Sequence, residues 1–169
     1  MTLPDAYTVR PAGPQDAAAI ALHRGQMFVD MGSLTPDGAA AQQDLWTGWL
    51  GNAIAAGEYV AFLAQYADPA QHTGQVVAGV GLMFHPKIPT LQDPALHRAH
   101  VLNMYVAPGH RRQGLAEALM HAALQEARRR GLRSVNLNAA PMGRGLYQRL
   151  GFVDSTSPEM RLTLLDGTP

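Results

Sequence analysis

Residues 103–116 have the sequence Asn-Met-Tyr-Val-Ala-Pro-Gly-His-Arg-Arg-Gln-Gly-Leu-Ala and join an apolar strand, predicted over 100–106, to an amphipathic helix, predicted over 112–130. The first N–H groups of such a helix have no partner within it, and the helix dipole adds about half a positive charge at that end. Gly114 lets the backbone approach a ligand closely, and the arginine pair just before it adds full charges. The pattern predicts an anion-binding turn, better matched to a diphosphate than to one carboxylate. A solvated turn fits the short RxxGxA pattern equally well.

Two other phosphate-binding loops are absent from the sequence. A Walker loop needs Gly-Lys followed by Ser or Thr, and neither tripeptide occurs. A dinucleotide-binding fingerprint needs GxGxxG after an early strand, whereas Gly79-Val80-Gly81 and Gly143-Arg144-Gly145 lack the third glycine and that setting. The phosphate turn of this chain is therefore of another kind.

The composition predicts one cytoplasmic domain over residues 1–169. Hydrophobic residues make up 47% of the chain and charged residues 15%, enough apolar material for a single packed core. Thirteen basic residues balance thirteen acidic ones, which argues against nucleic acid or an anionic membrane as a partner. The chain has no cysteine and no apolar run of about 20 residues, so disulfides, thiolate metal sites and a membrane span are excluded.

Periodicity and turn residues predict the element order βααβββαβαββ. The predicted strands are 6–10, 59–65, 75–84, 100–106, 134–138, 152–155 and 160–164. The first predicted helix begins at Pro14, and the other three cover 39–56, 112–130 and 142–150. Strands 59–65 and 75–84 should form an antiparallel hairpin. The segment 85–97 carries three prolines and is predicted to be a surface loop near a substrate.

Helical spacing predicts which residues of the first two helices face the core. These are Ile20, His23, Met27 and Met31 in the first helix and Leu45, Trp49 and Ile54, or their neighbours, in the second. An acceptor pocket lined by Met27, Phe28 and Met31 is the alternative to a purely structural role for those side chains.

Residues 103–116, together with the later segment Leu146-Tyr147-Gln148-Arg149-Leu150-Gly151-Phe152, resemble the GCN5-related N-acetyltransferases. The two motifs stand at the expected separation, and the resemblance extends over about residues 6–165. It implies a single-domain α/β (α+β) fold with a mixed, mostly antiparallel sheet of about seven strands and helices on both faces. The fourth and fifth strands of this family splay apart, and the pantetheine arm of acetyl-CoA lies in the slot between them.

The same resemblance implies a coenzyme site built mainly from backbone groups. The residues it assigns to acetyl-CoA are Met104, Tyr105, Val106, Arg111, Arg112, Gln113, Gly114, Leu115, Ala116, Glu117 and Asn138. The backbone of Met104 and Val106 pairs with pantetheine, and the N–H groups of residues 112–117 hold the pyrophosphate. An N–H near Tyr105 or Val106 could polarise the thioester carbonyl. Asn138 substitutes for a family asparagine, because Ala140 occupies that asparagine's usual position.

Tyr147 matches the family tyrosine that faces the coenzyme sulfur, although a tyrosine in a short helix is also ordinary packing. A general base is not obvious, and we rank Glu58 first, then His85, then Asp30, with water alone as a further option. His97 and His100 are three residues apart, but no third ligand is evident nearby, so no metal is expected.

We therefore expect an N-acetyltransferase that moves an acetyl group from acetyl-CoA directly to a primary amine of a small molecule or peptide. Two alternatives stay open: a catalytically silent acyl-CoA-binding regulatory module, and an enzyme with a longer acyl group or a non-amine acceptor. Members of the family often pair, so a homodimer is also an open expectation.

Overall fold

The computed structural model describes residues 3–67, 74–157, 159, 160 and 162. The chain forms two compact units, Met1–Asn138 and Ala139–Pro169, and each is described by itself. None of the described helices is long and apolar enough to cross a lipid bilayer.

The described residues of the first unit form five strands and four α-helices. They are β1 Tyr7–Pro11, α1 Ala17–Asp30, α2 Pro36–Ala41, α3 Gln43–Ala55, β2 Tyr59–Tyr66, β3 Gln75–Pro86, β4 His97–Val106, α4 Leu115–Arg129 and β5 Val135–Leu137. The described part of the second unit contains one short helix, α5 Arg144–Arg149, preceded by a 3-10 turn. The predicted helices 112–130 and 142–150 are confirmed with shorter bounds.

The five strands form one sheet in the order β1-β2-β3-β4-β5. The first four are antiparallel to their neighbours, and β5 runs parallel to β4. The β2–β3 pairing confirms the predicted hairpin, while its connection, 68–73, lies outside the described residues. Pairing between β4 and β5 ends at Val101 and Leu137, so the last five residues of β4 have no partner on that side within the first unit. Splayed fourth and fifth strands would leave such an unpaired edge, and the splay itself stays a prediction.

A bulge bends β4 where this opening begins. Tyr105 pairs with Gly79 and Leu102 with Gly81, so two residues of β4 lie opposite the single residue Val80. Asn103 is one of the two and has a φ of 54°, a left-handed conformation that asparagine tolerates better than most residues. The bulge therefore changes the direction of β4 and of the side chains that follow.

Helices cover the sheet on both faces. Ala17, Ile20 and Ala21 of α1 and Leu50 and Ala53 of α3 pack with alternate residues of β2, namely Tyr59, Ala61 and Leu63. The fully buried stripe of α4 consists of Leu115, Leu119, Met120, Ala123 and Ala127. This helix contacts β2, β3 and β4 and shares no extensive contact with α1 or α3 among the described residues, which places it on the other face.

The predicted helix 39–56 was wrong in its start, and its buried face is formed by neighbours of the three named residues. Thr35 caps α2 by accepting a hydrogen bond from the Gly38 N–H at 3.1 Å, and the helix is interrupted at Gln42 before α3 begins. This break shifts the helical phase. Leu50 and Ala53 are buried, whereas Leu45 and Trp49 are 69% and 48% exposed, and Ile54 is half-buried.

Two predictions about element ends and two about strands also need correction. Met31 ends α1 and is 48% exposed rather than in the core. The loop predicted over 85–97 is shorter, because β3 continues to Pro86 and β4 begins at His97.

The strand predicted over 152–155 does not form, and Val153 in it is 90% exposed, so no neighbour buries its apolar side chain. Of the strand predicted over 160–164, the described residues Met160 and Leu162 are not in a strand, and the rest lies outside the described residues. Within the described residues the sheet has five strands, whereas about seven were predicted.

Candidate active site

The turn between β4 and α4 combines two residues in the left-handed conformation. Arg112 has a φ of 64° and Gly114 a φ of 80°. The first intrahelical bond runs from the Ala118 N–H to the Gly114 carbonyl at 3.1 Å. Within residues 3–67 and 74–138, the backbone N–H groups of 112–117 have no protein acceptor. Left-handed residues before a helix turn successive N–H groups toward one point, which is the geometry of an anion nest.

Two anchors hold this turn in place. Leu115 is 1% exposed and fixes the start of α4 in the core. The Arg111 side chain donates from Nε to the Val106 carbonyl at 3.0 Å and forms an ion pair with Asp30 of α1. Arg111 therefore ties the turn to β4 and α1. Asp30, the third-ranked base, is committed to the same pair.

The free edge of β4 leads directly to the anion nest. Met104 and Val106 are half-buried and lie beyond the last pairing with β5. The Val106 carbonyl accepts from Arg111, which leaves its second lone pair and the edge N–H groups for another partner. An extended chain ending in a diphosphate fits an unpaired strand edge followed by a nest. The residues present thus fit coenzyme A as a ligand.

A buried polar network lies beneath the bulge. Arg24 of α1 donates from Nη1 to Asn103 Oδ1 at 2.6 Å, and Asn103 Nδ2 donates to the Tyr59 hydroxyl at 3.0 Å. Burial raises the pKa of Tyr59 to about 12, so its phenol stays protonated at neutral pH. Sequence reasoning missed Arg24 and Tyr59. An arginine four residues after Ile20 and four before Phe28, on the apolar side of an amphipathic helix, was the available signal.

His23 is the second buried polar residue of α1 near this network. It is 7% exposed, its ring centroid lies 5.1 Å from that of Tyr105, and its Nδ1 has no hydrogen-bond partner within the described part of the chain. Desolvation lowers the pKa of His23, which favours the neutral imidazole. A cavity of about 10 Å³, lined in part by His23, Tyr59, Gly79 and Asn103, lies beside it. This is room for about one water molecule.

Tyr147 belongs to the second unit. It is buried in α5, with its ring centroid 5.9 Å from that of Phe152 in a T-shaped arrangement. Gly143 packs on the same ring, because a Cβ at that position would stand 3.0 Å from a ring carbon. Burial raises the pKa of the Tyr147 phenol, so the hydroxyl keeps its proton at neutral pH and can donate it.

The remaining predicted site residues lie apart from the network. Glu58 is exposed immediately before β2, and Asn138 is exposed just after β5. His85 is half-buried on β3, with its ring 6.2 Å from that of His100, whose Nδ1 lies 3.2 Å from Asn136 Oδ1. Among the residues that the structure describes, no three His, Asp or Glu side chains are grouped as a metal ion would require.

Similar solved structures share this fold over almost their whole length. A GCN5-related N-acetyltransferase from Ralstonia eutropha is 32% identical, with a TM-score of 0.78 over 92% of this chain and 98% of that one. A predicted acetyltransferase from Clostridium acetobutylicum, solved with acetyl-CoA, is 24% identical, with a TM-score of 0.80 over 95% and 98%. Glucosamine-6-phosphate N-acetyltransferase from Arabidopsis thaliana is 15% identical, with a TM-score of 0.69 over 95% and 99%.

The family itself follows from sequence. No curated protein matches the chain. The sequence model of the acetyltransferase (GNAT) family matches residues 33–152, which include the bulged strand, the nest and Tyr147. The chain therefore belongs to the acetyltransferase (GNAT) family.

Proposed function

We propose that the protein transfers an acetyl group from acetyl-CoA directly to a primary amine of a small molecule or peptide. The observation that carries this proposal is the free edge of β4 running into the nest at residues 112–117. The acetyl-CoA present in the Clostridium acetobutylicum structure supports the choice of cosubstrate. The amine acceptor of the Arabidopsis thaliana enzyme, glucosamine 6-phosphate, supports transfer to nitrogen.

In this proposal the backbone does most of the binding. The N–H groups of residues 112–117 hold the pyrophosphate, and the backbone of Met104 and Val106 pairs with pantetheine. Asn138 contributes a side-chain amide to the same arm. A backbone N–H near Tyr105 or Val106 stabilises the charge that develops on the thioester oxygen. Since main-chain groups bind, side-chain substitutions that leave the turn intact should have small effects.

Acetyl-CoA supplies the acetyl group as a thioester. The amine nitrogen bonds to the carbonyl carbon, the carbon–sulfur bond breaks, and the nitrogen gives up one proton. We assign Tyr147 to donate its phenolic proton to the departing sulfur, because a buried, protonated phenol offers a hydrogen-bond donor to a thiolate. Glu58, or an ordered water, accepts the proton from the amine. No covalent enzyme intermediate is needed, which suits a chain without cysteine.

The first prediction concerns Tyr147. We expect Tyr147→Phe to lower kcat for release of free coenzyme A thiol by about 100-fold, because one general acid typically contributes that much or more. The dissociation constant for acetyl-CoA should stay within about twofold, since the phenol acts after binding. Thiol release is followed with a panel of primary amines, and Tyr66→Phe in β2 is the matched control.

Unchanged turnover in Tyr147→Phe would remove this residue from the reaction. Coenzyme binding without thiol release for any amine would instead identify a silent acyl-CoA-binding module.

We also propose a cytoplasmic location for the enzyme, and its balanced charge favours acceptors other than nucleic acid.

A further inference from the structure

Arg24 is a half-buried cation whose hydrogen-bonding capacity is mostly unused. Its guanidinium carbon lies 4.7 Å from the Phe28 ring centroid and 5.3 Å from that of Trp46. A guanidinium carries five N–H donors, and only Nη1 of Arg24 has an acceptor within residues 3–67 and 74–138, namely Asn103 Oδ1 at 2.6 Å. Desolvation lowers the pKa of Arg24, a sign that its charge is partly removed from water.

The other arginines of the first unit are either paired with a carboxylate or exposed. Carboxylates pair with Arg10, Arg111, Arg129 and Arg130. Arg98, Arg112, Arg128 and Arg133 have no such partner among the described residues of this unit, but they are exposed. Arg24 alone among these is half-buried without a carboxylate, and such a charge is costly to retain unless it binds something.

The position of Arg24 links it to the proposed transfer site. Asn103 is the bulge residue of β4 and precedes Met104, in the segment beyond the last pairing with β5. Its amide is fixed at both ends, because Nδ2 donates to the buried Tyr59 hydroxyl while Oδ1 accepts from Arg24. The Phe28 and Trp46 rings lie against the guanidinium. The cation is thus placed in advance beside the strand edge that we assign to acetyl-CoA.

We infer that Arg24 binds a carboxylate of the acceptor, so that the substrate is an amine that also carries a carboxylate group, as a free amino acid does. A planar guanidinium with a free edge binds a carboxylate through two parallel hydrogen bonds, and one positive charge neutralises one carboxylate. Phe28 and Trp46 exclude water from this pair and strengthen it. The inference rests on the proposed acetyl transfer and adds the class of acceptor.

The test compares matched acceptors. Each amino acid is assayed beside its amide, beside the amine that lacks the carboxyl group, and beside an amine bearing a phosphate ester. For the wild-type protein we expect the accepted amino acid to exceed its amide in kcat/KM by about 100-fold, the effect of one bidentate charge-assisted pair. Arg24→Gln should reduce that ratio to about threefold or less by raising KM for the acid. Arg128→Gln, an exposed arginine on α4, should retain the full ratio.

A second measurement does not depend on turnover. Thermal shifts are recorded with free amino acids and their N-acetyl derivatives in the presence of coenzyme A. At least one should stabilise the wild-type protein and the Arg128→Gln variant but not Arg24→Gln, while acetyl-CoA binds all three equally.

Three results would overturn the inference: equal use of acid and amide, preference for the phosphate ester, or an equal loss for acid and amide in Arg24→Gln. An absence of thermal shifts with every carboxylate probe would do the same. Failure to bind acetyl-CoA would instead contradict the proposed function, so the two failures are distinguishable.

Discussion

His23 illustrates what one buried side chain contributes to this molecule. Its place on the core face of α1 could be predicted from helical spacing with Ile20. Its unpartnered Nδ1 could not, because that depends on Gly79 and Tyr105, which are distant in sequence. A buried imidazole without a charged partner is stable only in the neutral form. The folded protein therefore resists protonation at this residue.

The consequence is a pH-dependent free energy of unfolding. The pKa of His23 in the folded chain lies below its ordinary value of 6.5. As pH falls through that value, the unfolded chain binds a proton that the folded chain does not, so stability decreases. The contribution is complete above the unfolded pKa and is lost toward the lower folded pKa. Urea unfolding between pH 7 and pH 5, about the range in which histidine titrates, should show a shallower decline for His23→Leu.

His97→Gln at the exposed start of β4 provides the control, since it removes a histidine that lies outside the buried contact of α1 with the sheet. A His23→Leu variant that loses stability as steeply as the parent would contradict the assignment of a buried neutral imidazole.

At the scale of elements, local sequence patterns predicted which helices and strands exist better than they predicted where those elements begin and end. The β2–β3 hairpin and α4 formed as expected because their alternation and four-residue spacing are strong and uninterrupted. The helix 39–56 was misjudged because Thr35 and Pro36 start α2 earlier and the break at Gln42 resets the phase. The strand predicted over 152–155 does not form, because a strand also needs a pairing partner, which residue spacing does not encode.

Packing between β2 and β3 makes Gly81 irreplaceable. A Cβ at Gly81 would overlap the Tyr59 phenol, so the ring would move and lose its hydrogen bond to Asn103. We expect Gly81→Ala to lower the free energy of unfolding by about 3 kcal/mol, from overpacking plus a broken buried hydrogen bond. Gly48→Ala is the control, because nothing lies within 4 Å of a Cβ there in mid-helix α3. It should stabilise by about 1 kcal/mol.

Urea denaturation of both variants measures these changes. If Gly81→Ala is as stable as Gly48→Ala, the close packing of Tyr59 on β3 is not as described.

For the whole molecule, the turn before α4 was predictable from the sequence and the contact between α1 and the bulge of β4 was not. The nest is formed by consecutive residues around Gly114, so it could be predicted from the local sequence. The Arg24–Asn103 contact joins residues 79 positions apart and exists only once α1 lies on the bulged strand. A contact of that kind can be found only from the fold.

The most direct test of the account is calorimetric titration of acetyl-CoA into the protein and three variants. The parent should bind with a dissociation constant below about 1 mM, in the usual range for enzyme substrates. Gly114→Glu should weaken binding by about 100-fold or more, because a strained carboxylate in the nest costs at least about 3 kcal/mol. Arg111→Ala should weaken it by about tenfold or less, since that side chain only supports the turn.

Gly131→Glu is the matched control, because Gly131 has a similar left-handed φ of 72° at the opposite end of α4. We expect parental affinity for Gly131→Glu and loss of binding for Gly114→Glu, with thermal melting showing that both variants are folded. Equal affinity of the parent and Gly114→Glu for acetyl-CoA would contradict it.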